Sequence, residues 1–236
     1  MTQERTISSM QPNSDAWRII TGHYEKCLRK HGATPAGVDW PSGADLAKRY
    51  GVMLELLAEA GRRPQLLDLG CGPGLMLDYL DAAGQIDRVN YHGIDLSHEM
   101  VDAARARWPG HAFSCRDVVS APLPDQSVDV VIMNGVLTER VTLDVETMMA
   151  LAKSLVAAAF RAARTGIAFN VMNAHVDWQR NDLFHWSFDS LADFLRSEVS
   201  PHYVLRADYG LYEYTCIVRR QPQVVAVPME AGWWAK

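Results

Sequence analysis

The chain has 236 residues, 48% of them hydrophobic and 22% charged, which is the composition of an ordinary globular protein and excludes wholesale disorder. Its formal net charge of -5 speaks against a protein that grips nucleic acid through phosphates, which calls for a basic surplus. One α/β domain with a small extension fits this length.

The elements follow in chain order. Asp15 to His31 carries apolar side chains at helical spacing, namely Trp17, Ile20, Tyr24, Cys27 and Leu28, and Gly32 stops it. A Gly- and Pro-rich loop leads to Gly43. Ser42-Gly43-Ala44-Asp45 matches a capping box and predicts a second helix to about Ala60. These two helices either cover one end of the core or form a lid over a ligand. Gln65 to Leu69 reads as a buried strand, Leu75 to Ala83 as a helix and Val89 to Ile94 as a second strand. A helix over Ser97 to Trp108 starts with Ser97 as N-cap. Strands follow at His111 to Ser114 and Asp129 to Met133, then an Ala-rich helix over Thr142 to Ala163 and a fifth strand over Gly166 to Val171. Asp189 to Ser200 is helical. Tyr203 to Asp208 and Tyr212 to Val218 are strands joined by a turn at Tyr209-Gly210. Strands alternating with helices predict a doubly wound, mostly parallel sheet, with an antiparallel hairpin at its C-terminal edge.

The four cysteines, Cys27, Cys71, Cys115 and Cys216, form no C-x-x-C pair, so neither a zinc site nor a disulfide framework is expected. Met1 to Met10 lacks an apolar signal core, and no apolar run reaches the roughly 18 residues of a membrane helix. The expected setting is reduced and cytoplasmic, with no membrane partner.

The chemistry lies at the end of the first strand, in Leu66-Leu67-Asp68-Leu69-Gly70-Cys71-Gly72-Pro73-Gly74. Glycines at alternate positions let the backbone turn sharply and approach a ligand, and the next helix offers free N–H groups. The second strand ends at Gly93-Ile94-Asp95. An acid at such a position, about 20 residues beyond the glycine loop, accepts both hydroxyls of a ribose. Asp117, after the third strand, can accept from the exocyclic amine of adenine. Three such groups on successive strand ends specify an adenosine ligand. Leu75 stands where a nicotinamide fingerprint has its third glycine, and no Gly-Lys-Ser/Thr follows, so a pyrophosphate is disfavoured.

These residues resemble the class I S-adenosylmethionine-dependent methyltransferases. Asp68 to Gly74 looks like the family's first motif, Gly93-Ile94-Asp95-Leu96-Ser97 like the second, Asp117 like the third, and Asp129 to Asn134 like the fourth strand. The resemblance covers roughly Pro64 to Arg220. It implies a Rossmann-like, seven-stranded sheet with the last strand inserted antiparallel. It also implies S-adenosyl-L-methionine as methyl donor, with S-adenosyl-L-homocysteine as product. Carried over by position, Gly70, Cys71 and Gly72 line the methionine part, and Asp68 orients that loop or the donor's ammonium. Asp95 binds the ribose, Asp117 the adenine, Leu96 and Val118 pack on the base, and Asn134 lies near the sulfonium. The expected organisation is an N-terminal helical lid (1–62), a transfer domain (63–220) and a C-terminal tail (221–236) whose Trp233 and Trp234 have no evident role.

Methyl transfer is an in-line displacement that needs a base only if the acceptor must lose a proton. Candidates for the acceptor side come from the long stretch after the fifth strand: Asn170, Asn173, His175, Asp177, Trp178, Asp182, His185 and Trp186. His175, with Asp177 and Asn134, is the expected catalytic group. Tyr24, Trp40, Glu139, Asn170, Trp178, His185 and Tyr209 are expected to contact the acceptor, with His23, His31 and Asp39 nearby on the lid. His175 and Asp177 lack a third partner, so no metal is assigned. The sequence after the fourth strand is Asn134-Gly135-Val136-Leu137, not the Asn/Asp-Pro-Pro-aromatic motif of adenine methyltransferases. The expected acceptor is therefore an oxygen or nitrogen of a small metabolite, such as a sugar or heterocycle. The alternatives are a protein or RNA acceptor, or a donor-binding protein without turnover. A monomer or homodimer is compatible with all of these.

Overall fold

The computed structural model describes residues 14–223, with side chains from residue 16 on. Its strands are β1 (Gln65–Leu69), β2 (Asn90–Asp95), β3 (Ala112–Cys115), β4 (Val128–Leu137), β5 (Ala163–Asn173), β6 (His185–Trp186), β7 (Tyr203–Arg206) and β8 (Glu213–Arg219). Seven of them form one continuous path in the order β3-β2-β1-β4-β5-β8-β7. The first five in that order are parallel, while β8 lies antiparallel between β5 and β7. The inserted last strand agrees with the expected hairpin. The two-residue β6, which the sequence pattern missed, pairs with the far end of β5.

Side-chain alternation along the strands divides the interior into two cores. Leu67, Leu69, Val131, Met133, Ile167 and Phe169 face one side, under α5 (Val145–Ala162) and α6 (Phe188–Phe194). Leu66, Val130, Ile132 and Ala168 face the other, under α3 (Leu75–Ala82) and α4 (His98–Arg107). With both faces covered, β1 and β4 need near-continuous apolar runs, and they have them.

The two N-terminal helices join these cores from opposite faces. Ala16, Trp17 and Ile20 of α1 (Ser14–His31) pack into the first core, while Leu46, Tyr50 and Met53 of α2 (Gly43–Met53) pack into the second. Ser42 caps α2 by accepting from the Asp45 N–H at 3.2 Å.

Several boundaries differ from expectation. The second helix stops at Met53 and continues as a 3₁₀ turn over Leu54–Glu59, for which nothing local gives a reason. Asp144 accepts from the Thr147 N–H at 2.7 Å, so α5 starts three residues later than Thr142. No loop separates α5 from β5, so β5 starts at Ala163. The last helix is shortened to α6 and ends in a π turn over Leu195–Val199. Trp233 and Trp234 lie outside the described residues.

Candidate active site

The chain winds from β1 to β2 and β3, then crosses back to β4. The crevice beyond the carboxyl ends of β1 and β4 is therefore the topological switch point, where open α/β sheets bind ligands. A cavity of about 970 Å³, counting its open mouth, occupies that place. Its floor begins at the glycine loop. Gly70 has φ +80°, and a Cβ there would stand 2.3 Å from Val136 Cγ2, so only glycine fits. The Gly70 and Cys71 N–H groups donate to the Ile94 carbonyl at 2.7 and 3.1 Å. Asp95 ties the loop from the other side: its carboxylate accepts from the Gly72 N–H at 2.9 Å and from the Ser97 N–H at 2.9 Å. Burial raises the Asp95 carboxyl above its ordinary value, and these N–H donors pull it down again. Asp117 accepts from the Val119 and Ser120 N–H groups at 2.9 and 3.2 Å, which fixes the turn after β3.

The wall on the other side is a bulge. The β4–β5 register shifts between Met133 and Leu137, with Gly135 at φ +79°. A bulge of this kind re-aims side chains at a strand end. Here it turns Asn134, Gly135 and Val136 into the cavity. Gly135 is held on every side. Its N–H donates to Asn170 Oδ1 at 2.7 Å, its carbonyl accepts from Tyr24 Oη at 3.1 Å and Thr138 Oγ1 at 2.8 Å, and the Trp40 ring lies 2.9 Å from where a Cβ would be. The Asn134 Oδ1 in this wall is buried and accepts no hydrogen bond among the described residues.

Trp17, Ile20, Thr21 and Tyr24 of α1, Trp40 of the connecting loop, and Leu46 and Tyr50 of α2 roof the cavity. Trp40 is backed by the Arg49 guanidinium, 3.7 Å from the ring centroid. Arg49 Nε in turn donates to Glu213 Oε1 of β8 at 2.6 Å in a buried ion pair. Glu213 also accepts from Asn170 Nδ2 at 3.1 Å and from Tyr209 Oη at 3.4 Å. Arg49 and Glu213 thus hold Trp40 and its loop against the inserted strand.

The structure brings together Gly70, Cys71, Gly72, Asp95, Leu96, Asp117, Val118, Asn134, Tyr24 and Trp40 around one cavity. It places others elsewhere. Asp68 alternates with Leu67 and Leu69, so its side chain enters the opposite core and accepts from Tyr91 Oη at 2.7 Å. Burial raises its carboxyl to about 7, against the lowering by Tyr91. His175 is exposed and stacks on Phe188 at 5.3 Å, Asp177 is exposed, and Trp178 meets Tyr212 edge-on at 5.1 Å. His185 holds Nδ1 2.8 Å from the Asn173 carbonyl. The expectation that this loop lines the acceptor is not met in the cavity's lining, which includes none of residues 174–184; Asp182 and Phe184 bond instead to the segment after β4, at Arg140, Val141 and Thr138. Asn170 and Tyr209 lie behind the wall, in the network around Glu213.

Glu139 stands behind Tyr24 rather than in the lining. Its residue bridges to Leu183, and its carboxyl is raised to about 7 by burial and by the charges of Asp39 and Asp182. Trp17, Ile20, Thr21, Tyr50, Gly135 and Val136 border the cavity without having been singled out. Two signals pointed to part of this set: the helical spacing of Trp17, Ile20 and Tyr24, and a glycine at the end of an otherwise apolar strand.

Fold and site together are those of a class I methyltransferase. A methyltransferase domain family matches residues 66–159. Rv1506c of Mycobacterium tuberculosis, named a putative methyltransferase, is 37% identical over 156 residues, which cover 65% of this chain and 91% of that protein. The chain belongs to the S-adenosylmethionine-dependent methyltransferase family. A trans-aconitate 2-methyltransferase from Rhizobium rhizogenes is 38% identical over 35% of this chain and 32% of its own length. A malonyl-[acyl-carrier protein] O-methyltransferase from Pectobacterium atrosepticum is 34% identical over 49% and 44%. Among solved structures, a DhpI-SAM-HEP complex aligns over 88% of this chain and 99% of its own with TM-score 0.58. Magnesium protoporphyrin IX methyltransferase from Synechocystis with bound SAM covers 88% and 90% at 0.52. Each is 16% identical, a level at which only the fold is shared.

Proposed function

We propose that this enzyme transfers the methyl group of S-adenosylmethionine to an oxygen or nitrogen of a small metabolite. The observation that carries this reading is the roof. The cavity beyond the glycine loop is closed over by the chain's own Trp17, Tyr24, Trp40 and Tyr50, leaving room for a small acceptor rather than an open groove for a macromolecule. The name of the trans-aconitate relative lends further support to a small acceptor.

The residues present fit the donor. Asp95 spends one lone pair of each oxygen on the loop and on Ser97, so a carboxylate with about four acceptor positions retains capacity for two ribose hydroxyls. Asp117, Leu96 and Val118 border the place for the base. Gly70 to Gly72 present bare backbone to the amino-acid part. Asn134 Oδ1, buried without a donor, suits the positive end of the donor. When bound, the donor supplies an already activated methyl on a sulfonium. The chain's part is then to align the acceptor in line with it and to exclude water, and the aromatic roof serves both. Residues 1–62 act in this reading as lid and 63–220 as transfer domain. The four free cysteines suit a reduced, cytoplasmic setting.

The test is incubation with methyl-labelled S-adenosylmethionine and cell extract separated into small-molecule, protein and RNA fractions. Label in the small-molecule fraction is expected. Label in protein or RNA only, or donor binding with no transfer to any fraction, overturns the proposal.

A further inference from the structure

The lid carries a second cluster that methyl transfer does not use. His23 and Cys27 are four residues apart on α1, so both side chains leave the same helix face, one turn from each other. Asp39 arrives from the loop between the helices. It follows the 3₁₀ turn Pro35–Val38 in a left-handed conformation, φ +60°, which turns the chain back toward α1. His23 Nε2 is 2.8 Å from Asp39 Oδ2 and 3.9 Å from Cys27 Sγ, and one donor atom from each of the three residues lies within 4.8 Å of the others. Among the described residues this is the set of imidazole, thiol and carboxylate close enough to share an ion.

We infer that His23, Cys27 and Asp39 bind a zinc-class divalent cation. The argument is geometric. Zinc bonds to nitrogen, sulfur and oxygen run at about 2.0, 2.3 and 2.1 Å. At tetrahedral angles they separate ligand atoms by roughly 3.3–3.6 Å. The separations found here bracket that range, so side-chain rotation alone closes the site. The donor set of one thiolate, one imidazole and one carboxylate selects zinc or cobalt over magnesium and calcium, which take oxygen alone. Three protein ligands leave a fourth position. Glu139, a buried carboxylate, lies close enough to Asp39 and His23 to feel both charges and stands on that side. The sequence gives no metal-binding spacing because Asp39 lies sixteen residues from His23 and is delivered by the loop fold.

The position gives the site a consequence. Tyr24 and Trp40, each adjacent in sequence to a ligand, border the donor cavity. A cation bridging α1 to the loop latches the roof in the closed arrangement, so donor affinity should rise with metal and fall with a chelator.

The test is titration of the metal-stripped full chain with cobalt(II), read by absorption. A near-ultraviolet thiolate-to-cobalt band, with the intense visible bands of a tetrahedral ion, saturating at a single cation per chain, is expected. Cys27→Ser should abolish the charge-transfer band, and His23→Ala and Asp39→Asn should each weaken binding at least tenfold. Retention of the wild-type thermal midpoint in metal-free buffer identifies the variants that fold. No cobalt band in the wild-type chain, or a band that persists in folded Cys27→Ser and so belongs to Cys71, Cys115 or Cys216, overturns the inference.

Discussion

The buried carboxyl of Asp68 makes a quantitative prediction. It is 3% exposed and faces Tyr91 in the core between β1 and α3, and burial lifts its pKa from 3.8 to about 7. In the unfolded chain the group ionises near its ordinary value. Between those two values the folded chain keeps a proton that the unfolded chain has lost, so stability must fall as pH rises. Asp68→Asn removes the titration while its side-chain carbonyl can still accept from Tyr91. Each pH step of one in that window is worth about 1.4 kcal/mol. The variant's advantage should therefore grow from nothing near pH 4 to a ceiling of about 4 kcal/mol at neutral pH and then level off. The new amide N–H₂ adds a burial cost of about 1–3 kcal/mol, which is independent of pH and shifts the whole curve without changing its slope. Urea unfolding of the donor-free wild type and variant, across that pH range, gives the difference directly. A difference that stays flat with pH would refute the account, because it would mean that Asp68 ionises equally in both states.

Asp95→Ala removes the acceptor for two backbone N–H groups that hold the glycine loop. At about 1.5 kcal/mol or more for each bond to a charged group, donor affinity should fall roughly 100-fold or more in calorimetric titration. Arg49→Ala strands a buried carboxylate at Glu213 and should destabilise the chain by about 3–5 kcal/mol in denaturant, whereas Arg49→Met with Glu213→Leu should recover most of that loss. His175→Ala should leave donor affinity unchanged, since the ring stacks on Phe188 outside the cavity, and a marked loss in the same titration would return that loop to the site.

Most residues read as donor-binding line the candidate cavity, and they were legible because their signal is local. The glycine loop, Asp95 and Asp117 each sit at a strand end, and strand order follows from alternation of elements, so sequence position converts directly into place. The acceptor half was not, because it depends on contacts between distant segments. Nothing in the chain near His175 says that β6 will pair with β5 or that Asp182 and Phe184 will bond to the segment after β4. Nothing near Glu213 says that a strand inserted beside β5 will meet Arg49 of the lid. Asp68 is a subtler case. It lies within the most specific motif, but strand alternation turns its side chain into the core with Leu66, and that parity could have been read from the neighbouring leucines. The N-terminal helices were recognised by their periodicity and Ser42 cap, while the choice between core cover and lid was open. In the structure they cover the core and also line the cavity, since Trp17 belongs to both.

The roof is fastened unequally at its two ends. On the α2 side, the Arg49–Glu213 pair is buried, so separating its partners would leave charge in a dry interior. On the α1 side, the polar ties to α4 are the Ser97 hydroxyl donating to Glu25 at 2.7 Å and the exposed Arg29–Glu99 pair, which can separate into solvent at little cost. A hinge built this way has a fixed leaf and a looser one. Traffic into the cavity should therefore pass under α1, with Tyr24 as the latch and Trp40 as the post against which it shuts. Substitutions that alter exchange without altering the chemistry should then cluster along the outer face of α1.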